Sequence, residues 1–242
     1  MSEPALVTDT AMLMAAGLGK RMRPLTASQP KPMVRVAGKP LIDHALNRLE
    51  DAGVAKAVVN VHYLADALEA HVGHRASPKV VFSDERAELL ETGGGMVKAQ
   101  TDGKLPDPFF ACNADSIWLD GPLNAFRDLS RHWDAQRMDA LLLVVSHARA
   151  TNFDGTGDFY MDGQGRLKRK LPGRIAPFIY TGIQLVSHRL LRDAPEGKFS
   201  TNILWDRAIE EDRLFGLAFS GQWIEVGRPE HIAVCEDVLE RG

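Results

Sequence analysis

Apolar positions along this chain change their period several times, and each change marks an element. The run Ala11 to Ala16 is continuously apolar and stops at Gly17, where Gly, Arg, Pro and Lys take over; this predicts a first strand feeding a functional loop. Leu41, Ile42, Ala45, Leu46 and Leu49 recur at helical spacing, with Pro40 suited to a first helical turn and Gly53 to the stop. Val54 to Val61 then reads as a strand, Ala65 to Val72 as a helix, Lys79 to Phe82 as a strand, Gly94 to Gln100 as a helix and Phe109 to Asn113 as a strand. Leu123 to His132 is helical and Leu141 to Val145 strand-like. Such alternation predicts an α/β fold with a mostly parallel sheet covered by helices on both faces.

After Thr151 the segments shorten. Asp158 to Met161, a turn at Gly163 to Gly165, Arg166 to Lys170 and Phe178 to Val186 predict a small antiparallel or mixed extension. A helix over Asn202 to Glu211, strands at Leu214 to Phe219 and Trp223 to Val226, and a helix over Pro229 to Leu239 complete the pattern. No repeat, low-complexity tract or linker interrupts it, so the 242 residues are read as one domain.

Composition narrows the partners. Hydrophobic residues at 45% and charged residues at 25% match ordinary globular proteins, which excludes a disordered or fibrous chain. A net charge of -3 offers no general attraction to nucleic acid or to anionic membranes, so phosphate affinity has to come from local basic clusters and small phosphorylated ligands are favoured. Apolar runs such as Ala140 to Val145 are too short to cross a bilayer, and Glu3 and Asp9 stand where an export signal would be basic. Cys112, in an apolar strand-like stretch, and Cys235, in a helix-like one, read as buried free thiols of a reducing compartment. A cytoplasmic protein without nucleic-acid or membrane partners is expected.

The most informative segment is Ala15-Ala16-Gly17-Leu18-Gly19-Lys20-Arg21-Met22-Arg23-Pro24-Leu25-Thr26 with Pro30-Lys31-Pro32-Met33 after it. Two close glycines let backbone N–H groups approach a phosphate without a Cβ in the way, and Arg21 and Lys31 supply charge to a polyphosphate. Met22 occupies the third glycine position of a dinucleotide fingerprint, which disfavours a nicotinamide oxidoreductase; Arg21 follows Gly19-Lys20 where a P-loop needs Ser or Thr. In its order of glycines, Arg, Pro-Leu-Thr and Pro-Lys, the segment resembles the signature loop of sugar-phosphate nucleotidyltransferases. The resemblance runs from Ala11 to about Val238. It implies a three-layer Rossmann-like nucleotidyltransferase fold with triphosphate contacts at Ala16, Gly17, Gly19, Arg21 and Lys31. Arg21 and Lys31 are then catalytic, with Lys31 near the phosphorus under attack.

A second cluster, Leu90-Glu91-Thr92-Gly93-Gly94-Gly95, precedes a helical stretch, so its N–H groups could meet a base edge or an anion at a helix start. It resembles the family's base-binding segment, which implies nucleotide contacts at Gly93 and Gly94. It also closely resembles the version in the bacterial uridylyltransferases of peptidoglycan recycling that act on N-acetylmuramate 1-phosphate, which implies UTP.

Nucleotidyl transfer needs a hard cation held by one or two carboxylates, with water and phosphate oxygens completing the shell. Asp115 follows a strand, at the sheet edge where ligands of open α/β folds gather. Trp223-Ile224-Glu225-Val226-Gly227 resembles the family's second metal string with Glu for Asp, one methylene longer. The resemblance therefore implies Mg²⁺ on Asp115 and Glu225. Asn113 and Asp158 are the candidates for the sugar phosphate, Asp158 because Gly155-Thr156-Gly157-Asp158-Phe159 resembles a string in the muramate-specific branch. Lys168-Arg169-Lys170-Leu171-Pro172 is displaced by one from the family's Lys-Pro and receives no role. His71 and His74 have no Cys or third ligand nearby, and a solvated helix end is the simpler reading than zinc.

The expected reaction is uridylyl transfer from UTP to a sugar 1-phosphate, N-acetylmuramate 1-phosphate foremost, by a monomer. Three alternatives stay open: a hexose 1-phosphate or phosphocholine acceptor with another base, a non-catalytic subunit sensing nucleotide sugars, and a Rossmann oxidoreductase.

Overall fold

The structure, a computed structural model, describes residues 5–241. Strand β1 (Thr10–Met14) opens into a long loop that passes through two short 3₁₀ turns, Lys20–Met22 and Lys31–Met33. The hairpin of β2 (Arg35–Val36) and β3 (Lys39–Pro40) follows, closed by Ala37 and Gly38, both at positive φ. The next elements are α1 (Leu41–Ala52), β4 (Lys56–Val61), α2 (Ala65–Val72), β5 (Lys79–Asp84), α3 (Glu91–Thr101) and β6 (Phe109–Asn113). The second half holds β7 (Ser116–Leu119), α4 (Ala125–His132), β8 (Ala140–Ser146), β9 (Ala150–Thr151), β10 (Phe159–Met161), β11 (Leu167–Arg169) and β12 (Phe178–Val186). It closes with α5 (Asn202–Glu210), β13 (Leu214–Ala218), β14 (Gln222–Glu225) and α6 (His231–Arg241).

Among the described residues the large sheet has nine strands, with β5, β4, β1, β6, β12, β8 and β13 in spatial order and the β10–β11 hairpin attached to the start of β12. β6, β1, β4 and β5 pair in parallel, as do β8 and β13. β12 runs antiparallel between β6 and β8. The sheet is therefore mostly parallel with a small antiparallel extension. Its strands are apolar throughout because both faces are covered: Leu13 and Phe110 pack with Ile42, Leu46 and Phe126 on one side, whereas Met12 and Phe109 pack with Met96, Leu204 and Trp205 on the other. Among the described residues, no helix is long and apolar enough to cross a membrane.

The short strands β2, β3, β7 and β9 and the start of α3 depart from the sequence expectation. β7 was not anticipated; it pairs with β14, which also carries β9, in a separate three-stranded sheet. A small core joins that sheet, α6 and the long loop through Ile117, Ile224, Cys235 and Met22, so the residue at the missing fingerprint glycine is an anchor. Helix α3 begins at Glu91 instead of Gly94, which puts Gly93, Gly94 and Gly95 inside its first turns.

Helix α4 starts on a side-chain cap: Asn124 Oδ1 accepts from the amides of Phe126 at 3.0 Å and Arg127 at 3.4 Å. Asn124→Ala should cost about 1 kcal/mol. In a chain of this size that lowers Tm by roughly 2–4 °C. Calorimetry on the variant checks it, and an unchanged Tm would mean the cap contributes nothing.

Candidate active site

The loop after β1 is held in shape from within. Gly19 adopts φ 58°, and a Cβ there would come within 2.8 Å of Lys31 Cβ and 3.0 Å of Thr26 Cγ2, so only glycine lets the two ends of the loop close. Thr26 Oγ1 donates to the Gly19 carbonyl at 2.9 Å, and Tyr63 Oη donates to the carbonyls of Thr26 and Ala27 at 3.3 and 3.2 Å. A Cβ at Gly17, in contrast, would meet nothing within 4 Å; that stretch of backbone is open to a ligand.

The opposite wall is set by the β7–β14 ladder. It pairs Ser116 with Glu225, so Asp115, one residue before Ser116, and Glu225 emerge side by side. Each carboxylate meets one loop cation. Lys31 Nζ donates to Asp115 Oδ2 at 2.5 Å, with the lysine side chain only 11% exposed; Arg21 Nη1 lies 3.3 Å from Glu225 Oε1, with the arginine 65% exposed. The second pair is weak at that exposure and open to exchange with an incoming anion. A Cβ at Gly227 would press on Glu225 Oε1 at 2.7 Å and on Arg21 Nη1 at 3.3 Å, so this glycine leaves room for the pair.

Three hollows meet around Asn113. One of about 210 Å³ is lined by Arg21, Lys31, Asp115, Asp158 and Glu225. A second, about 380 Å³, runs past Ala16, Gly17, Asn60, Thr92 and Asp115. The third, about 300 Å³, lies over Asp158, Arg169, Tyr180, Gly182 and Trp205. Asn113 lines all three, which makes one trough of two arms joined at the charged centre. The 300 Å³ arm exists because β12 pairs with β6 only over Ile183–Val186 and then diverges. A register irregularity falls between Tyr180 and Gln184, and Gly182, at φ 85°, takes the close contact with Asn113 that a Cβ would block at 2.7 Å.

Of the residues expected from the sequence, Ala16, Gly17, Arg21, Lys31, Asn113, Asp115, Asp158 and Glu225 line the trough, and Gly19 stands behind Lys31. Gly93 and Gly94 do not face it as expected. Both amides donate to the Phe199 carbonyl, at 3.0 and 3.2 Å, and Cβ atoms at the two positions would stand 2.3 Å from the Phe199 ring and 2.2 Å from the Gly197 carbonyl. The glycines serve close packing of α3 on the segment before α5, and their neighbours Glu91 and Thr92 line the wall instead. His71 makes a 2.9 Å contact with Asp43, and no group of three or more His, Cys, Asp or Glu side chains suited to a metal occurs among the described residues.

Sequence reasoning missed a buried polar network under the 380 Å³ arm. Asn60 Oδ1 accepts from the amides of Ala15 at 2.6 Å and Ala16 at 3.3 Å, while Asn60 Nδ2 donates to Glu85 Oε1 at 2.8 Å. Glu85 Oε2 accepts from the Leu90 amide at 3.1 Å. Two side chains thus tie the start of the basic loop to the start of α3. The lone signal was Asn60 itself, a polar residue inside an apolar strand.

With this geometry in place, comparison with known proteins adds the class. Residues 10–167 match the family model described as Nucleotidyl transferase, and the chain belongs to that family. It is 44% identical over 227 residues to an N-acetylmuramate alpha-1-phosphate uridylyltransferase from Caulobacter vibrioides, covering 91% of this chain and 92% of that one. A protein of the same description from Neisseria meningitidis is 32% identical over 231 residues, covering 90% and 92%. The solved inositol-1-phosphate CTP transferase from T. maritima shares the fold, with a TM-score of 0.77 over 98% of this chain and 96% of that one at 15% identity.

Glu85 is 2% exposed, and burial pushes its carboxyl above the ordinary glutamate value against the opposing pull of the Asn60 and Leu90 hydrogen bonds. A carboxyl raised in the folded state contributes most stability below its unfolded pKa, and that contribution is lost as pH rises through the folded value. Urea midpoints of the native protein and of Glu85→Gln should therefore diverge as pH rises above the ordinary glutamate range, about 4, with the native protein losing ground. A difference that stays constant or grows the other way contradicts the sign.

Proposed function

We propose that this protein transfers a uridylyl group from UTP to N-acetylmuramate 1-phosphate, giving the UDP-sugar and pyrophosphate in peptidoglycan recycling, in the cytoplasm. The observation that carries the reading is the two-armed trough with Lys31, Arg21, Asp115 and Glu225 at its junction, in a chain 44% identical to a uridylyltransferase of that description.

The 380 Å³ arm, beside Ala16 and Gly17, suits the nucleotide, and the 300 Å³ arm suits the sugar. The acceptor's sugar then passes Asn113 and Asp158, the residues shared between the sugar arm and the charged centre, and its phosphate enters that centre beside Lys31 and Arg21. An oxygen of that phosphate attacks the α-phosphorus of UTP in line. A new O–P bond forms, the bond to the β-phosphate bridging oxygen breaks, and its electron pair leaves with pyrophosphate. The attacking oxygen is already ionised, so no general base is needed and catalysis is positioning and charge neutralisation. Lys31, nearly buried, meets charge developing at the α-phosphate; Arg21, exposed, meets the departing phosphates.

The donor set fits a magnesium ion. Asp115 and Glu225 are two hard oxygen ligands set side by side by one ladder, and Mg²⁺ is commonly bound through one or two carboxylates with phosphates and water completing its octahedron. Asp115 and Glu225 would hold it, and when bound it neutralises phosphate charge.

Pyrophosphate release with Mg²⁺ tests the reading, with UTP, CTP, GTP, ATP and dTTP each crossed with N-acetylmuramate, N-acetylglucosamine, glucose and mannose 1-phosphates and phosphocholine. Release is expected to be strongest for UTP with N-acetylmuramate 1-phosphate and to stop on chelation. Another best pair would move the substrate within the class. Silence across the panel from folded protein would overturn the enzyme reading in favour of a nucleotide-sugar sensor. Lys31→Ala should lower kcat by about 10²-fold or more. A loss below about threefold would remove Lys31 from the mechanism.

A further inference from the structure

The sugar arm carries chemistry that the transfer reaction does not use. Arg169, on β11, is the one cationic side chain lining the 300 Å³ hollow among the described residues, and it takes no part in the charged centre. Its guanidinium is clamped. The carbon lies 5.0 Å from the Phe159 ring centre and 5.6 Å from that of Trp205; Nε donates to Asp206 Oδ1 at 2.6 Å, and Nη2 donates to the Asn202 carbonyl at 3.1 Å and to Asn202 Oδ1 at 3.0 Å. Those bonds use Nε and Nη2. Nη1 has no hydrogen bond among the described residues, so a rigidly held guanidinium keeps one donor group over.

Thr201, lining the same hollow, is an independent sign. It is 3% exposed, yet its Oγ1 has no hydrogen-bond partner. Its backbone is satisfied: the amide donates to Thr92 Oγ1 at 3.0 Å, and the carbonyl accepts from the amides of Leu204 and Trp205, both at 3.0 Å. Only the hydroxyl is left unmatched. Buried polar atoms are normally paired, and this unpaired one belongs to a residue that lines the hollow, so a ligand oxygen there would give it a partner. Thr201 also stands at the N-terminal end of α5, without a side-chain capping bond, and that positive end favours an anion.

We infer that Arg169 and Thr201 form a receptor for a carboxylate carried by the acceptor sugar. This rests on the proposed function and sharpens it. The acceptor's phosphate belongs in the charged centre beside Lys31 and Arg21, whereas Arg169 and Thr201 line the sugar arm alone. The hollow thus selects a sugar phosphate with a second anionic group away from the reacting phosphate. N-acetylmuramate 1-phosphate has that group in its lactyl ether; N-acetylglucosamine 1-phosphate is the same sugar without it. A guanidinium donor and a hydroxyl together match the oxygens of a carboxylate, and the guanidinium stays charged at every working pH.

The test is the ratio of kcat/KM for these two acceptors, at saturating UTP and Mg²⁺, in the native protein, Arg169→Gln and Thr201→Val. The ratio should fall by about 10²-fold in Arg169→Gln and about tenfold in Thr201→Val, through KM for N-acetylmuramate 1-phosphate. Thr201→Val removes only a hydroxyl, so it decides the matter if Arg169→Gln fails to fold. Equal losses with both acceptors would make the pair structural and overturn the inference. A native protein that favours N-acetylmuramate 1-phosphate and variants that keep its ratio would overturn the inference alone. A native protein indifferent to the lactyl group would overturn both this and the proposed acceptor.

Discussion

Two carboxylates repel each other, and Asp115 and Glu225 stay adjacent because a β-ladder leaves them no alternative. Backbone pairing of Ser116 with Glu225 sets their spacing, and Lys31 and Arg21 offset their charge. The rest of the reaction centre is arranged around that quartet. Gly19 lets the loop close tightly enough to deliver Lys31, Met22 anchors the loop in the small core under the ladder, and Gly227 leaves space for Arg21 to reach Glu225. The cations and carboxylates occupy one another, so charged groups are held in position at little net charge.

The two arms have different origins. The nucleotide arm lies at the ends of the parallel strands β1 and β6, the usual ligand edge of such a sheet, and the Asn60–Glu85 pair beneath it binds two loops into one rigid wall. The network is costly, because a buried carboxylate is poorly solvated, and its hydrogen bonds offset part of that cost. The sugar arm comes from the one antiparallel member of the central strand path. Because β12 parts from β6 past Asn113, a wedge opens that the β10–β11 hairpin and α5 then line. The two arms thus open on the quartet from either side of Asn113, an arrangement compatible with the proposed in-line displacement.

Sheet strands and helices were legible in the sequence where the periodicity was long, as in α1, α2 and β12. β7 was not, because a short segment following Asp115 gains its strand character only from β14. Arg21, Lys31 and Asp115 were legible because they sit in strings whose spacing is itself the chemistry: a glycine loop, a Pro-Lys, an Asp after an apolar strand. Gly93 and Gly94 were misjudged for the opposite reason. Glycines before a helical stretch suit an open anion site and a close packing contact equally well, and only the arrival of Phe199 from far along the chain chooses between them.

What the sequence by itself determined was the class of chemistry. A glycine-rich basic loop, a carboxylate after a strand and a second carboxylate between Trp223 and Gly227 are local patterns, and local patterns dictate which groups are available. The tertiary structure alone decided how those groups meet: which cation faces which carboxylate, that Asn60 and Glu85 join two loops, and that Arg169 and Thr201 converge with a donor each unspent. Those relations depend on strand order and on where β12 leaves β6. Such long-range pairings are settled by the burial of the whole core, and no short stretch of the chain encodes them.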